Sequence, residues 1–175
     1  MAAKTRELVT KWCAAEGLNQ IALEAAKLPD DVEWAVETHP AQDRTITIMQ
    51  RKSIPDRIEI SAGLQMSPDH AAAFKALDDG QRRRFLFSLR RDAMLLGVLY
   101  QGLSDPLVRV GFTQRVYLNA LTKTSFMATF QGVQNALILV RDFVQVHFGS
   151  GHIDGSVEPD GPFGDFLGGL DLGDI

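Results

Sequence analysis

Cys13 is the one cysteine in 175 residues, so the chain can close no disulfide within itself. That excludes a disulfide-stapled fold. It fits a reducing compartment, and equally a secreted domain that needs no bridges. Long apolar runs are missing as well: nothing approaches the ~20 apolar residues that cross a bilayer. Met1 to Glu16 is charged and has no long apolar centre, so no secretory signal is expected. The four histidines, His39, His70, His147 and His152, share no ligand spacing, and CxxC and HExxH are absent. We therefore expect no metal site. No GxSxG, P-loop or GxGxxG sits at a strand-to-helix junction, which leaves no marked nucleophile, no phosphate cradle and no expected cofactor. Asp30-Asp31 and Asp78-Asp79 lack the aligned oxygens of a calcium loop. Cys13 has only Lys11 nearby to activate it, so a passive, half-buried thiol is expected. The composition predicts a soluble, cytoplasmic protein without a membrane partner.

Basic residues are absent from one region only. Gly149 to Ile175 holds six acids, no Lys or Arg, and eight of the fifteen glycines. Everything before it carries all eighteen basic residues against sixteen acids, so the body is +2 and the tail −6, together the −4 of the whole chain. A polar, glycine-rich stretch of one charge sign buries too little apolar surface to offset its ordering entropy. Residues 149–175 are thus expected to be a disordered acidic tail behind a single α+β domain of residues 1–148. A chain of that length buries about two-thirds of its unfolded surface, enough for a core without staples. The overall negative charge argues against a nucleic-acid partner.

The body divides by periodicity. Thr5 to Glu16 reads as a helix with Leu8, Trp12 and Ala15 on one face and Gly17 behind it. Leu18 to Lys27 fits a helix or an edge strand. Glu33–Thr38, Thr45–Gln50 and Arg57–Met66 alternate as strands, joined by His39-Pro40 to Asp43 and by Ile54-Pro55-Asp56. Short links join antiparallel neighbours, so these form a meander with one buried face. In the third strand Ile58, Ile60, Ala62, Leu64 and Met66 face the core, and Arg57, Glu59 and Ser61 face away. Ser67-Pro68-Asp69 opens a helix as N-cap, N1 and a first-turn acid. Asp78-Asp79-Gly80 interrupts it, and a second helix runs from Gln81 to Leu96. Val98–Leu103 is a short strand. Leu107–Leu121 is one long strand, or a hairpin broken near Thr113-Gln114. The last helix, to Phe148, carries the stripe Phe126, Phe130, Val133, Leu137, Val140 and Val144. Met127, Ile138, Leu139, Phe143 and Val146 make it apolar nearly all round, which points to burial on several sides, one of them against a second copy of the chain.

The order α-βββ-α-ββ-α resembles the fold of type III secretion chaperones. Three stretches are similar to an uncharacterised, mainly archaeal family of such chaperone-like domains: Ile58-Glu-Ile-Ser-Ala-Gly with Met66-Ser-Pro-Asp-His70, Arg84-Phe-Leu-Phe-Ser-Leu-Arg90, and Arg115-Val-Tyr-Leu-Asn-Ala-Leu-Thr-Lys-Thr-Ser-Phe126. The resemblance spans about residues 5–148. It implies an antiparallel sheet of five to six strands packed by helices on one face. It carries over no functional residues.

Two surfaces are candidates for partners. Arg82, Arg83, Arg84, Arg90 and Arg91 crowd one helix, with Arg83 over Arg90 and Arg84 over Arg91. Guanidinium forks suit carboxylates or phosphates, and cations at a helix N-terminus call for a counter-ion, with Asp78, Asp79 and the acidic tail as candidates. A solvated face is the plain alternative. Arg109, Arg115 and Tyr117 share parity on the long strand and join Arg57, Glu59 and Ser61 on the sheet face turned from the helices, which is either a binding platform or simply solvated. His70 is expected at the surface. In the tail, Phe163, Phe166, Leu167 and Leu170 are spaced like a docking segment. These features predict a non-enzymatic protein- or peptide-binding module of chaperone or adaptor type, homodimeric through its last helix or its sheet. Two alternatives stand beside it: a small-ligand sensor or enzyme with a non-standard site, and a binding domain regulated by its own tail docking on the arginine-rich helix.

Overall fold

The computed structural model describes residues 2–24, 28–41 and 44–149. The chain runs α1 (Ala2–Ala15), β1 (Gln20–Ala22), β2 (Val32–Ala41), β3 (Arg44–Arg51), β4 (Arg57–Gln65), α2 (Pro68–Ala76), α3 (Asp79–Leu95), β5 (Leu99–Gln101), β6 (Arg109–Tyr117), a 3₁₀ turn (Leu118–Ala120) and α4 (Lys123–Phe148). Six strands form one antiparallel sheet in the order β1-β2-β3-β4-β6-β5. The fold is the expected α+β one, with the helices packed on one face of the sheet. The expected disordered tail, with Phe163, Phe166, Leu167 and Leu170, lies outside the described residues.

Local chemistry explains most boundaries. Ser67 accepts a hydrogen bond from the His70 amide, with Pro68 in the first turn behind it. Asp78 and Gln81 form a capping box, which starts α3 at Asp79, two residues before the expected start. A cap draws the following Asp79-Gly80 into the helix, so Asp78-Asp79-Gly80 is an entry and not only a break. The ambiguous Leu18–Lys27 stretch supplies edge strand β1. His39 and Pro40 belong to β2 and not to a link. The register shifts between Thr38 and Ala41, where a proline without an N–H is tolerated. Leu107–Leu121 holds the single strand β6, and no hairpin forms at Thr113-Gln114.

The core lies between the helices and one sheet face. Ile58, Ile60, Ala62, Leu64 and Met66 are buried there, as their alternation predicts, with Val110, Phe112 and Val116 beside them. The α4 stripe from Phe126 to Val144 covers them. Each of its two buried phenylalanines contributes roughly 2–3 kcal/mol by area. Gly132 lets α4 approach β6: a Cβ there would meet the Gln114 side chain. Gln114 in turn donates to the Gly97 carbonyl at 2.9 Å, tying β6 and α4 to the end of α3.

Four expectations change. In α1 the buried face is Thr5, Val9 and Cys13, while Leu8 is exposed and Ala15 faces solvent. This helix packs on the β1–β2 end of the sheet and, through Trp12, on Phe126 of α4, so its fully buried stripe lies one residue out of phase with the expected one while Trp12 is half-buried as expected. Cys13 is fully and not half buried, and burial pushes its thiol up to about 11. His70 is buried, because its ring reaches across to α4, where Nε2 lies 3.0 Å from the Gly149 carbonyl. Finally, α4 is not apolar all round. Gln131 donates to Asn135 on its outer side and Asp142 is exposed there, while Met127 and Phe143 pack on the chain's own core.

Candidate binding surfaces

The sheet face turned from the helices carries rows of side chains set by the register. One row crosses all six strands: Ile21, Glu37, Thr47, Ser61, Thr113 and Leu99. Its ends, Ile21 and Leu99, are exposed apolar residues, and its middle is small and polar. Ser61 and Thr113 share a hydrogen bond of 3.0 Å. Burial holds the Glu37 carboxyl above its ordinary range, against the lowering pull of His39. The next row is Ala35, Met49, Glu59 and Arg115. Val32, Ala35 and Met49 form a second small core under Leu23 and Leu28, so the β1–β2 connection covers this part of the face.

An ionic triad holds the centre. Glu59 accepts from Arg51 Nε at 2.8 Å and from Arg115 Nε at 3.0 Å. Glu59 and Arg51 are buried, and Asp31 lies 3.6 Å from the second guanidinium nitrogen of Arg51. The face expected to be open is therefore partly a second packed layer, because long arginine stems cover the carboxylate they pair with. Arg115 spends its charge inside the triad. Tyr117 is half exposed under the Arg57 guanidinium, 5.6 Å from the ring centroid. Arg109 lies on the same face opposite Gln65, where burial draws its guanidinium below the ordinary value.

A groove of about 770 Å³ opens at the other end of the molecule, between α1 and the strand pair β1–β2. Ala2, Ala3 and Ala14 form its helical wall, and Ala22, Trp34 and Val36 form its floor. Arg6, Glu7, Lys11 and Glu33 rim it with both charge signs. Gln20 bridges wall and floor by donating to the Thr10 carbonyl at 2.9 Å. The groove runs beside β1, an end strand of the sheet, whose outer edge is unpaired among the described residues. Neither the alanines nor Trp34 stand out in the sequence as site residues. The one available signal is three alanines on α1 outside its buried stripe.

The arginines of α3 divide by role. Arg82 donates to the Leu77 carbonyl, meets Asp105 at 2.9 Å and pairs with Asp79. Arg90 donates twice to the Leu103 carbonyl, at 2.8 and 2.6 Å, and so anchors the loop after β5. Arg83, Arg84 and Arg91 are exposed, and Arg91 leans on Asp92. The expected four-guanidinium sector is therefore three, since Arg90 is turned inward. Among the described residues no cluster of His, Cys, Asp or Glu is placed to hold a metal ion, and no helix is long and apolar enough to cross a membrane.

Element order, sheet and helix placement together define an α+β fold of one antiparallel sheet with its helices on one face. The family model of an uncharacterised conserved protein, DUF2299, matches residues 5–144, and the chain belongs to that family. Among solved structures, an uncharacterised protein from Methanothermobacter thermautotrophicus is similar at 24% identity, over 82% of this chain and 99% of that one, with a TM-score of 0.73. A chain in the crystal structure of the ExsC–ExsE complex is similar at 16% identity, over 81% of this chain and 94% of that one, with a TM-score of 0.53. At these identities both describe a shared fold. No curated protein matches the chain.

Proposed function

We propose that this domain is a protein-binding module that takes an extended polypeptide segment between α1 and the β1 edge. One observation carries the reading: an end strand whose outer edge is unpaired among the described residues borders an apolar groove large enough for several side chains. Backbone hydrogen bonds to β1 would supply affinity, and alternate side chains of the segment would enter the alanine-walled groove and supply selectivity. The mixed rim charges suit a segment of balanced charge. The likeness to a fold seen in a protein–protein complex supports the same direction.

The test uses displayed random 15-residue peptides selected on the full chain. Ala14 is exposed on α1, so Ala14→Trp fills the groove without entering the core. Selected peptides are expected to bind this variant at least about tenfold more weakly, a loss of roughly 1.4 kcal/mol. Peptides that bind both forms equally would place recognition elsewhere and end the proposal.

We infer a homodimer as the second part of this reading, formed by the outer sheet face at its β5–β6 end. Leu99, opposite Thr113, and Tyr117, four residues further along β6, are exposed on this face, whereas the outer side of α4 is mostly polar, with Val146 as its exposed apolar residue. Sedimentation over a concentration series is expected to give a dimer that Leu99→Asp with Tyr117→Asp converts to monomer. A wild-type monomer at high micromolar concentration would remove this part and leave the groove untouched.

A further inference from the structure

The outward side of α3 is an unusual helix surface. Phe87 is 66%, Met94 68% and Leu95 80% exposed, and they alternate with Arg83, Arg84 and Arg91. At 100° per residue these six positions fall within a sector of about 120°, over roughly 18 Å of helix. Three large apolar side chains left in water beside three cations mark a docking surface for something both apolar and acidic. The chain carries such a segment. Gly149–Ile175 has six acids and no Lys or Arg, and its Phe163, Phe166, Leu167 and Leu170 follow the i, i+3, i+4, i+7 spacing of a helix anchored on an apolar surface.

The structure adds where that segment starts. The end of α4 packs directly on α3: the Phe85 ring lies 5.2 Å from His147 and 5.1 Å from Phe148, centroid to centroid. His70 holds the Gly149 carbonyl at 3.0 Å. A cleft of about 300 Å³ between α3 and α4 leads from this point to Arg84. The chain therefore leaves the domain beside the N-terminal half of α3, on its inner side, with Arg84 the stripe residue nearest that point. A flexible coil of fourteen residues, the separation of Gly149 and Phe163, would span about 20 Å root-mean-square, which matches the distance along the stripe.

We propose that the acidic tail docks in cis on the outward side of α3, with Phe163, Phe166, Leu167 and Leu170 against Phe87, Met94 and Leu95 and the tail acids facing Arg83, Arg84 and Arg91. Tethering raises the local tail concentration to about millimolar, so contacts too weak to hold a separate peptide suffice. Anions at Arg83 and Arg84 also relieve the unfavourable placement of cations near the N-terminus of α3. The α1–β1 groove lies at the opposite end of the sheet, so this contact is independent of the proposed peptide site.

The experiment is paramagnetic relaxation on the full chain with a nitroxide at Gly168→Cys. Native Cys13 is fully buried with a raised thiol and stays unlabelled. Amides of α3 between Arg83 and Leu95 are expected to lose roughly two-thirds of their signal, while those lining the α1–β1 groove keep theirs. The loss should reverse in Arg83→Glu/Arg84→Glu/Arg91→Glu, and equally in Asp160→Asn/Asp165→Asn/Asp171→Asn, which alters no residue of the core. Salt near 1 M, where the Debye length is about 3 Å, should weaken it. Uniform or absent broadening overturns the proposal. So does broadening seen only when nitroxide-labelled and isotope-labelled chains are mixed, because the tail would then dock on a second copy.

Discussion

Gly102→Ala is expected to lower the stability of the domain by about 4 kcal/mol, the combined cost of a left-handed residue and an overpacked site. Gly102 has φ +72°, and a Cβ built on it overlaps the backbone carbonyl of Arg109, with the Val110 Cα 3.5 Å away. A side chain could turn aside; a strand carbonyl cannot. Arg109 is paired with Gln65 at the end of the nine-residue β4–β6 ladder, so moving it disturbs that ladder. The loop after Gly102 is also held, through the Leu103 carbonyl and Arg90. Gly17→Ala is the control. Gly17 has φ +71° but nothing within 4 Å of a Cβ, so it should lose only about 1 kcal/mol. Urea midpoints of the two variants check the difference, and melting of Gly102→Ala should fall by roughly 10 °C. Equal losses at the two glycines would show that the close approach of β5 and β6 contributes nothing.

Glu59→Ala carries the second large effect. The carboxylate is 3% exposed and receives two guanidiniums, of which Arg51 is itself 9% exposed. Removing it leaves two cations facing each other on a covered sheet face, and breaking such a pair costs about 3–5 kcal/mol. Arg115→Ala should cost less, because Glu59 keeps Arg51 and Arg115 is the more exposed partner. Replacing all three, as Arg51→Met/Glu59→Leu/Arg115→Met, is expected to recover most of the loss, since apolar side chains of similar volume need no charge pairing. Denaturant unfolding of the single and triple variants measures both. A loss below about 1 kcal/mol for Glu59→Ala would show that solvent screens the triad as it does a surface pair.

Much of the fold is legible in the sequence because its signals are local. The alternation from Ile58 to Met66 repeats every second residue and faces the core. Ser67-Pro68-Asp69 caps α2 from adjacent positions, and the Phe126–Val144 stripe repeats at helical spacing. The candidate surfaces are less legible. Arg90 reads as one of a row of arginines, yet its guanidinium is spent on the Leu103 carbonyl 13 residues ahead. Glu59 reads as solvent-facing, yet its partners come from neighbouring strands, 8 residues before it and 56 after. His70 looks like a surface residue until the end of α4, 79 residues later, supplies an acceptor.

The sequence by itself determined most element types, the buried parity of the strands, the Ser67 cap and the separation of a basic body from an acidic end. These follow from backbone geometry and side-chain chemistry within a few residues of each other. Tertiary structure alone decided which faces meet. It put the alanines of α1 over Trp34 to make a groove, locked Arg115 into a triad, and brought the root of the tail against α3. Those outcomes depend on strand register and helix docking between segments far apart in the chain, where sequence spacing carries no distance.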